Sequence, residues 1–211
     1  LSRYLDGLMI RTFAQSEVED FAKYGSIPVI NALTDYCHPC QVLADLMTIR
    51  EYKGSFSGLK MCFVGDGNNM ANSLMVGALK MGMKFSIACP EGYHPDAELT
   101  KWAEEFGDKF EITSDVKKAA KDADVLYTDV WASMGQEGEK ALREKSFAGF
   151  RIDAEVMECA KKDAMVLHCL PAHRGEEISE DVLEAHADDI FDEAENRLHA
   201  QKAVMCKLMR D

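Results

Sequence analysis

The 211-residue sequence predicts an α/β fold, a parallel sheet flanked by helices. Short apolar runs alternate with longer amphipathic ones, the pattern of strands joined by crossover helices that cover both faces of a parallel sheet. Apolar runs also stop abruptly at polar or turn residues. The run 164–170 ends against Pro171 with His168-Cys169 at its tip, and Val64 is followed at once by Gly65-Asp66-Gly67-Asn68-Asn69. In open α/β sheets ligands bind in the crevice outside the carboxyl ends of the strands, so these tips are candidate site positions.

Taken in order, strands are expected at 8–12, 28–32, 60–64, 84–88, 111–113, 125–128 and 165–169. Ser16 with Glu19 reads as a capping box opening a helix through Ala22. Pro39 suits a first helical position, which predicts a helix over 38–50. The segment 50–58, with Lys53, Gly54, Ser55 and Ser57, reads as a linker into which that helix runs as a bridge. The helix expected at 69–81 carries Met70, Leu74, Gly77, Ala78 and Met81 on one packing face. Ser114-Asp115 starts a helix reaching Ala123, and 193–209 forms a long final helix. The chain therefore divides into 1–50, a larger unit over 51–192, and a carboxyl-terminal helix over 193–211 expected to fold back on the first piece. Leu1 to Phe13 reads as the continuation of a longer chain.

Composition bounds the function. A content of 47% hydrophobic residues supports a substantial core, and a formal charge of -13 argues against a nucleic-acid or anionic-membrane surface. No apolar run approaches the roughly 20 residues of a membrane span. Seven scattered cysteines read as reduced thiols in a cytoplasmic protein. Cys37-His38-Pro39-Cys40 could be read as a zinc or redox element, but no second Cys/His pair at ligand spacing follows it.

The glycine turn after Val64 has Met70 where a dinucleotide fingerprint needs its third glycine, and Asp66 would repel a pyrophosphate. Asn68 and Asn69 either cap a helix or offer amides to an amino-acid-like ligand. Asp129 emerges where a strand ends, placed for a ligand ammonium or for helix capping; Ser133-Met134-Gly135 follows as a turn, and Trp131 reads as core. His38 and Gln41, a turn apart, are expected to point to one place and to donate to a polarised carbonyl. Arg11 and Arg197 are the candidate cations, each with a solvated ion pair as the alternative.

Together, His38-Pro39-Cys40-Gln41, Asp129-Val130-Trp131, Ser133-Met134-Gly135, His168-Cys169-Leu170-Pro171 and Glu195-Asn196-Arg197 resemble, in order, the motifs of the ornithine carbamoyltransferase family. The resemblance implies a Rossmann-like second lobe plus the end of a first α/β carbamoyl-phosphate lobe. It implies carbamoyl transfer from carbamoyl phosphate to the δ-amine of ornithine, without a metal or cofactor, in a homotrimer. By resemblance Arg11, His38, Pro39, Cys40, Gln41, Cys169, Leu170 and Arg197 contact carbamoyl phosphate, while Asn69, Asp129, Ser133 and Met134 hold ornithine. Cys169, His38, Arg11 and Asp129 would take part in the chemistry, with Cys169 as a thiolate that accepts the amine's proton or as a pocket wall. The family's Ser-x-Arg-Thr-Arg phosphate loop does not occur in these residues, so the chain as it stands is expected to turn over little. A putrescine-type acceptor, or a non-catalytic amino-acid-binding fragment, are the alternative readings.

Overall fold

The computed structural model describes residues 1–132 and 137–209. A small parallel pair comes first: β1 (Leu8–Arg11), α1 (Gln15–Tyr24) and β2 (Val29–Leu33), then α2 (Pro39–Lys53). The larger unit runs β3 (Lys60–Val64), α3 (Asn69–Lys80), β4 (Lys84–Ala88), α4 (Ala97–Glu104), β5 (Phe110–Thr113), α5 (Val116–Ala120) and β6 (Val125–Thr128). It continues through α6 (Lys140–Ser146), α7 (Ala154–Met157), β7 (Met165–His168), α8 (Glu180–Ala185) and α9 (Ala187–Leu208). Its five strands are all parallel, in the order β5-β4-β3-β6-β7. After β3 the chain builds outward to β5 and then returns to lay β6 on the other side. The reversal opens a crevice between the carboxyl ends of β3 and β6.

Burial on both faces explains why the strands read as unbroken apolar runs. Met61 and Phe63 face one core with Ile49, Leu74, Met75 and Leu167, while Cys62 and Val64 face the other with Leu126, Val166, Ile152 and Ile178. Helix α9 lies against α2 and β7, and Asn196 Nδ2 reaches across to Thr48 Oγ1 at 3.0 Å and Glu51 Oε2 at 2.7 Å.

Several sequence expectations need correction. No capping box forms at Ser16: α1 is capped by Ala14 without a side-chain bond, and Glu17 instead accepts from the Thr12 hydroxyl. Helix α2 continues to Lys53 and stops at Gly54, whose φ of 72° lies in the left-handed region, so the linker begins later than expected. Helix α9 starts at Ala187 rather than at 193, with Asp188 and Asp189 in a first turn whose dipole favours acids. The segment 165–169 ends as strand at His168, leaving Cys169 on the loop beyond it.

Gly77 makes α2 and α3 close neighbours, since a Cβ there would sit 2.5 Å from Val42 Cγ1. Gly77→Ala is expected to destabilise the fold by about 1–3 kcal/mol, the range for overpacking a filled interior, read as a lower urea midpoint at unchanged m-value.

Candidate active site

The crevice holds a cavity of about 230 Å³ that brings together Arg11, His38, Asn69, Asp129, Cys169, Leu170 and Arg197. All but Arg197 arrive at or just beyond the end of an element. Arg11 closes β1, His38 caps α2, Asn69 opens α3, Asp129 follows β6 and Cys169 follows β7, while Arg197 projects from the middle of α9.

Asp129 organises one side. Its Oδ1 accepts from the Cys169 thiol at 3.1 Å and from the Val130 N–H at 2.8 Å; its Oδ2 accepts from Asn68 Nδ2 at 2.9 Å. Asn68 also caps α3, its Oδ1 accepting from the N–H groups of Met70 and Ala71 at 2.9 and 3.2 Å. Capping and site construction are thus the same act: the bonded cap leaves the amide nitrogen aimed at Asp129. Burial, then the neighbouring Asp129 carboxylate, pushes the Cys169 thiol well above its ordinary range. Cys169 is therefore a thiol donating to Asp129, and the thiolate base considered from sequence is not its resting form.

The other side is cationic and anchored from α3. Helix α3 presents three polar side chains on one face to the loop before α2: Asn69 Nδ2 donates to the Thr34 carbonyl at 2.6 Å, Asn72 Nδ2 to the Tyr36 carbonyl at 3.0 Å, and Ser73 Oγ accepts from the His38 N–H at 2.8 Å. These bonds hold His38, only 5% exposed, at the cavity wall. Burial first, then the charges of Arg197 and Arg11, lower its pKa to about 3, so the imidazole is neutral. Its Nδ1 is buried with no hydrogen-bond partner, which leaves Nε2 to meet a ligand. Because the unfolded value is near 6.5 and the folded one lower, neutral His38 favours folding above about pH 6.5, and this contribution is lost as pH falls toward 3. His38→Asn is accordingly expected to flatten the fall in Tm between those pH values, as followed by circular dichroism.

Three residues expected to touch an anion do not line the cavity. The Gln41 side chain, 1% exposed, turns away from His38 and toward α9: its Oε1 accepts from Arg197 Nη1 at 2.5 Å and its Nε2 donates to Asp45 and Glu193. A helix turn of separation put Gln41 and His38 on one side in sequence, but two buried acids, Asp45 on α2 and Glu193 on α9, compete more strongly for the amide. The Cys40 thiol is buried and donates to the Asn31 carbonyl at 3.3 Å, and Pro39 occupies the first turn of α2. Ser133 and Met134 lie outside the described residues.

Other expectations resolve as packing. Trp131 is core, stacked near Phe147 and bonded to the Phe150 carbonyl at 3.1 Å. Asp66 is held by Arg143 at 2.6 Å in a buried ion pair rather than facing a ligand. Arg197 binds neutral amides instead of its acidic neighbours, with the Gln201 oxygen accepting from Nη2 and Nε at 2.8 and 2.9 Å. Leu170 has φ 54° and donates its N–H to His168 Nδ1 at 2.9 Å, while His168 Nε2 meets buried Glu177 at 3.1 Å. Sequence reading passed over Asn72, Ser73, Asp45, Glu193 and Glu177. The polar spacing of Asn69, Asn72 and Ser73 on an otherwise apolar helix was the available signal for the first two.

A crevice of this kind, with arginines, a neutral imidazole and the Asp129 carboxylate gathered at a sheet's switch point, defines an α/β protein with a polar ligand-binding cleft. Residues 1–51 match the carbamoyl-P binding domain of aspartate/ornithine carbamoyltransferases, and residues 57–208 match the Asp/Orn binding domain. Similar proteins include the ornithine carbamoyltransferase of Thermococcus kodakarensis, 55% identical over 99% of this chain and 68% of that protein. The Geobacter metallireducens ornithine carbamoyltransferase is 54% identical over 100% of this chain and 70% of its own length. Among solved structures, ornithine carbamoyltransferase from Pyrococcus furiosus superimposes with a TM-score of 0.92 at 52% identity, covering 99% of this chain and 68% of that one. The anabolic enzyme of Campylobacter jejuni gives 0.93 at 45% identity, covering 98% and 70%. The chain belongs to the aspartate/ornithine carbamoyltransferase family.

Proposed function

We propose that this protein is an ornithine carbamoyltransferase, moving the carbamoyl group of carbamoyl phosphate to the δ-amine of L-ornithine to give L-citrulline and phosphate. The observation that carries the reading is the division of one cavity into a cationic wall of Arg11, Arg197 and neutral His38, and a wall where Asp129 collects Cys169 and Asn68. Guanidinium forks match phosphate oxygens, and a neutral imidazole donating from Nε2 meets the carbamoyl oxygen as it gains charge. The carboxylate of Asp129 draws the ornithine ammonium, and Asn69 is assigned to its amino-acid end together with Ser133 and Met134.

An amine of pKa about 10 must give up a proton to bulk water before it attacks. The neutral amine then forms the C–N bond, the C–O bond to phosphate breaks, and the amine's remaining surplus proton leaves on the departing phosphate. No acyl-enzyme is required, since the carbonyl is already activated. Cys169 serves here as a donor that keeps the Asp129 carboxylate aimed at the amine. Cys169→Ala, which removes the donor, is expected to raise the ornithine KM and lower kcat by about tenfold in kcat/KM, the loss of one charge-assisted bond; steady-state kinetics equal to wild type for both parameters would reject this role.

Citrulline formation by the full-length protein, with ornithine, putrescine and aspartate as competing acceptors, tests the reading. Preference for ornithine is expected, and preference for either of the others overturns it. We assign a cytoplasmic homotrimer to the enzyme, in keeping with family membership and seven cysteines in no disulfide; sedimentation equilibrium at the trimer mass checks the assembly.

A further inference from the structure

The chemistry above makes no use of two carboxyls beneath the cavity, Asp45 on α2 and Glu193 on α9. Both are 0% exposed. Both accept from the same Gln41 Nε2, each at 2.9 Å. Glu193 also accepts from the Tyr127 hydroxyl at 3.0 Å and, through Oε2, from the His168 N–H at 2.8 Å. The charged or titratable groups facing the pair are Arg197 from α9, Tyr127 from β6, and His168 and Cys169 from β7.

Two carboxyls gathered on one amide nitrogen and out of reach of water share a proton, because the second ionisation would place like charges side by side. Glu193 has more donors, so the charge settles there and the proton on Asp45. Burial, then Glu193, accordingly raises Asp45 well above the carboxylate range. Asp45 Oδ2 has no hydrogen-bond partner, which a neutral acid tolerates and a buried anion does not. With its nitrogen committed to the pair, the Gln41 amide has one orientation, and its oxygen meets Arg197 Nη1 at 2.5 Å. The other oxygen of Glu193 ties down the residue immediately before Cys169.

We infer that Asp45 and Glu193 form a singly protonated positioning pair that aims Arg197 into the cavity through Gln41 and fixes the end of β7 beside Cys169. This rests on the carbamoyl-transfer reading, in which Arg197 holds the anionic donor substrate.

The test uses Asp45→Ala, Asp45→Asn and Glu193→Gln in the full-length enzyme. Asp45→Ala is expected to raise the carbamoyl phosphate KM about tenfold with a smaller change in kcat, the effect of one misaligned charge-assisted bond. Asp45→Asn, which keeps a donor toward Glu193, is expected to restore KM to within about threefold of wild type, a small residue of the same bond energy. Glu193→Gln is expected to raise KM at least as much as Asp45→Ala. As pH rises through the Asp45 pKa the wild-type KM climbs while that of Asp45→Asn stays level. The infrared difference between wild type and Asp45→Asn at neutral pH should contain the carbonyl stretch of a protonated carboxylic acid.

An Asp45→Asn enzyme no better than Asp45→Ala, a Glu193→Gln enzyme within about threefold of wild type, or the absence of that infrared band would each overturn the inference. Should Glu193→Gln fail to fold, the two Asp45 variants and the infrared band decide it. Wild-type protein that makes no citrulline would sink the functional reading instead, and the infrared band would still judge the pair.

Discussion

Asp129→Asn is expected to lower kcat/KM for ornithine by about 100- to 1000-fold, the size of loss seen when a preorganised polar contact to a reacting group is removed. The carboxylate is 7% exposed and receives the Cys169 thiol, the Asn68 amide and the Val130 N–H. Converting it to an amide removes the buried negative charge beside Cys169 and Asn68 that draws the amine. It also sets an NH2 group against Asn68 or the Cys169 thiol, both donors, so the local network must break. Carbamoyl phosphate binding, which the opposite wall supplies, should remain within about threefold by calorimetry, since sites without shared partners act independently. A loss below tenfold would remove Asp129 from the amine site.

The second large effect concerns the opposite wall. Arg197→Ala is expected to weaken carbamoyl phosphate binding by about 10- to 100-fold, the worth of a charge-assisted hydrogen bond of about 1.5–3 kcal/mol. The same change strips a cation from the neighbourhood of Asp45 and leaves Gln41 Oε1 without its donor. Arg197→Lys should not recover the affinity. The arginine is oriented by three contacts, Nη1 to Gln41 and Nη2 and Nε to Gln201, and an ammonium cannot reproduce that fork. Titration calorimetry with carbamoyl phosphate separates the outcomes, and lysine binding at wild-type affinity would refute the role given to the fork.

Strands were the most legible part of this chain. Lys60–Val64, Lys84–Ala88 and Val125–Thr128 fall where their apolar runs predict, because a strand buried on both faces must be apolar throughout and is bounded by the polar residues that follow. Helices resting on small local signals fared worse. The Ser16 capping box did not form, and the start of α9 was missed because the first turn of that helix, with Asp188 and Asp189, looks like solvated loop. Motif-borne residues at strand ends were legible too, since Asp129 and Cys169 follow apolar runs. Gln41 misled: local helical geometry pointed it at His38, whereas it turns to Asp45 on its own helix and to Glu193 and Arg197 on a helix about 150 residues later in the chain.

What the linear chain determined alone was the alternation that makes a parallel α/β sheet, the polar tips of its strands and the motifs those tips carry. All three follow from short-range physics: apolar periodicity, turn chemistry and helix starts. Tertiary structure alone decided the charge state of each group. The neutral His38, the Cys169 thiol bonded to Asp129 and the shared proton of Asp45 and Glu193 all depend on burial and on charges from distant elements. Desolvation and Coulomb forces act through space, and no spacing along the sequence encodes which carboxylate will face which thiol.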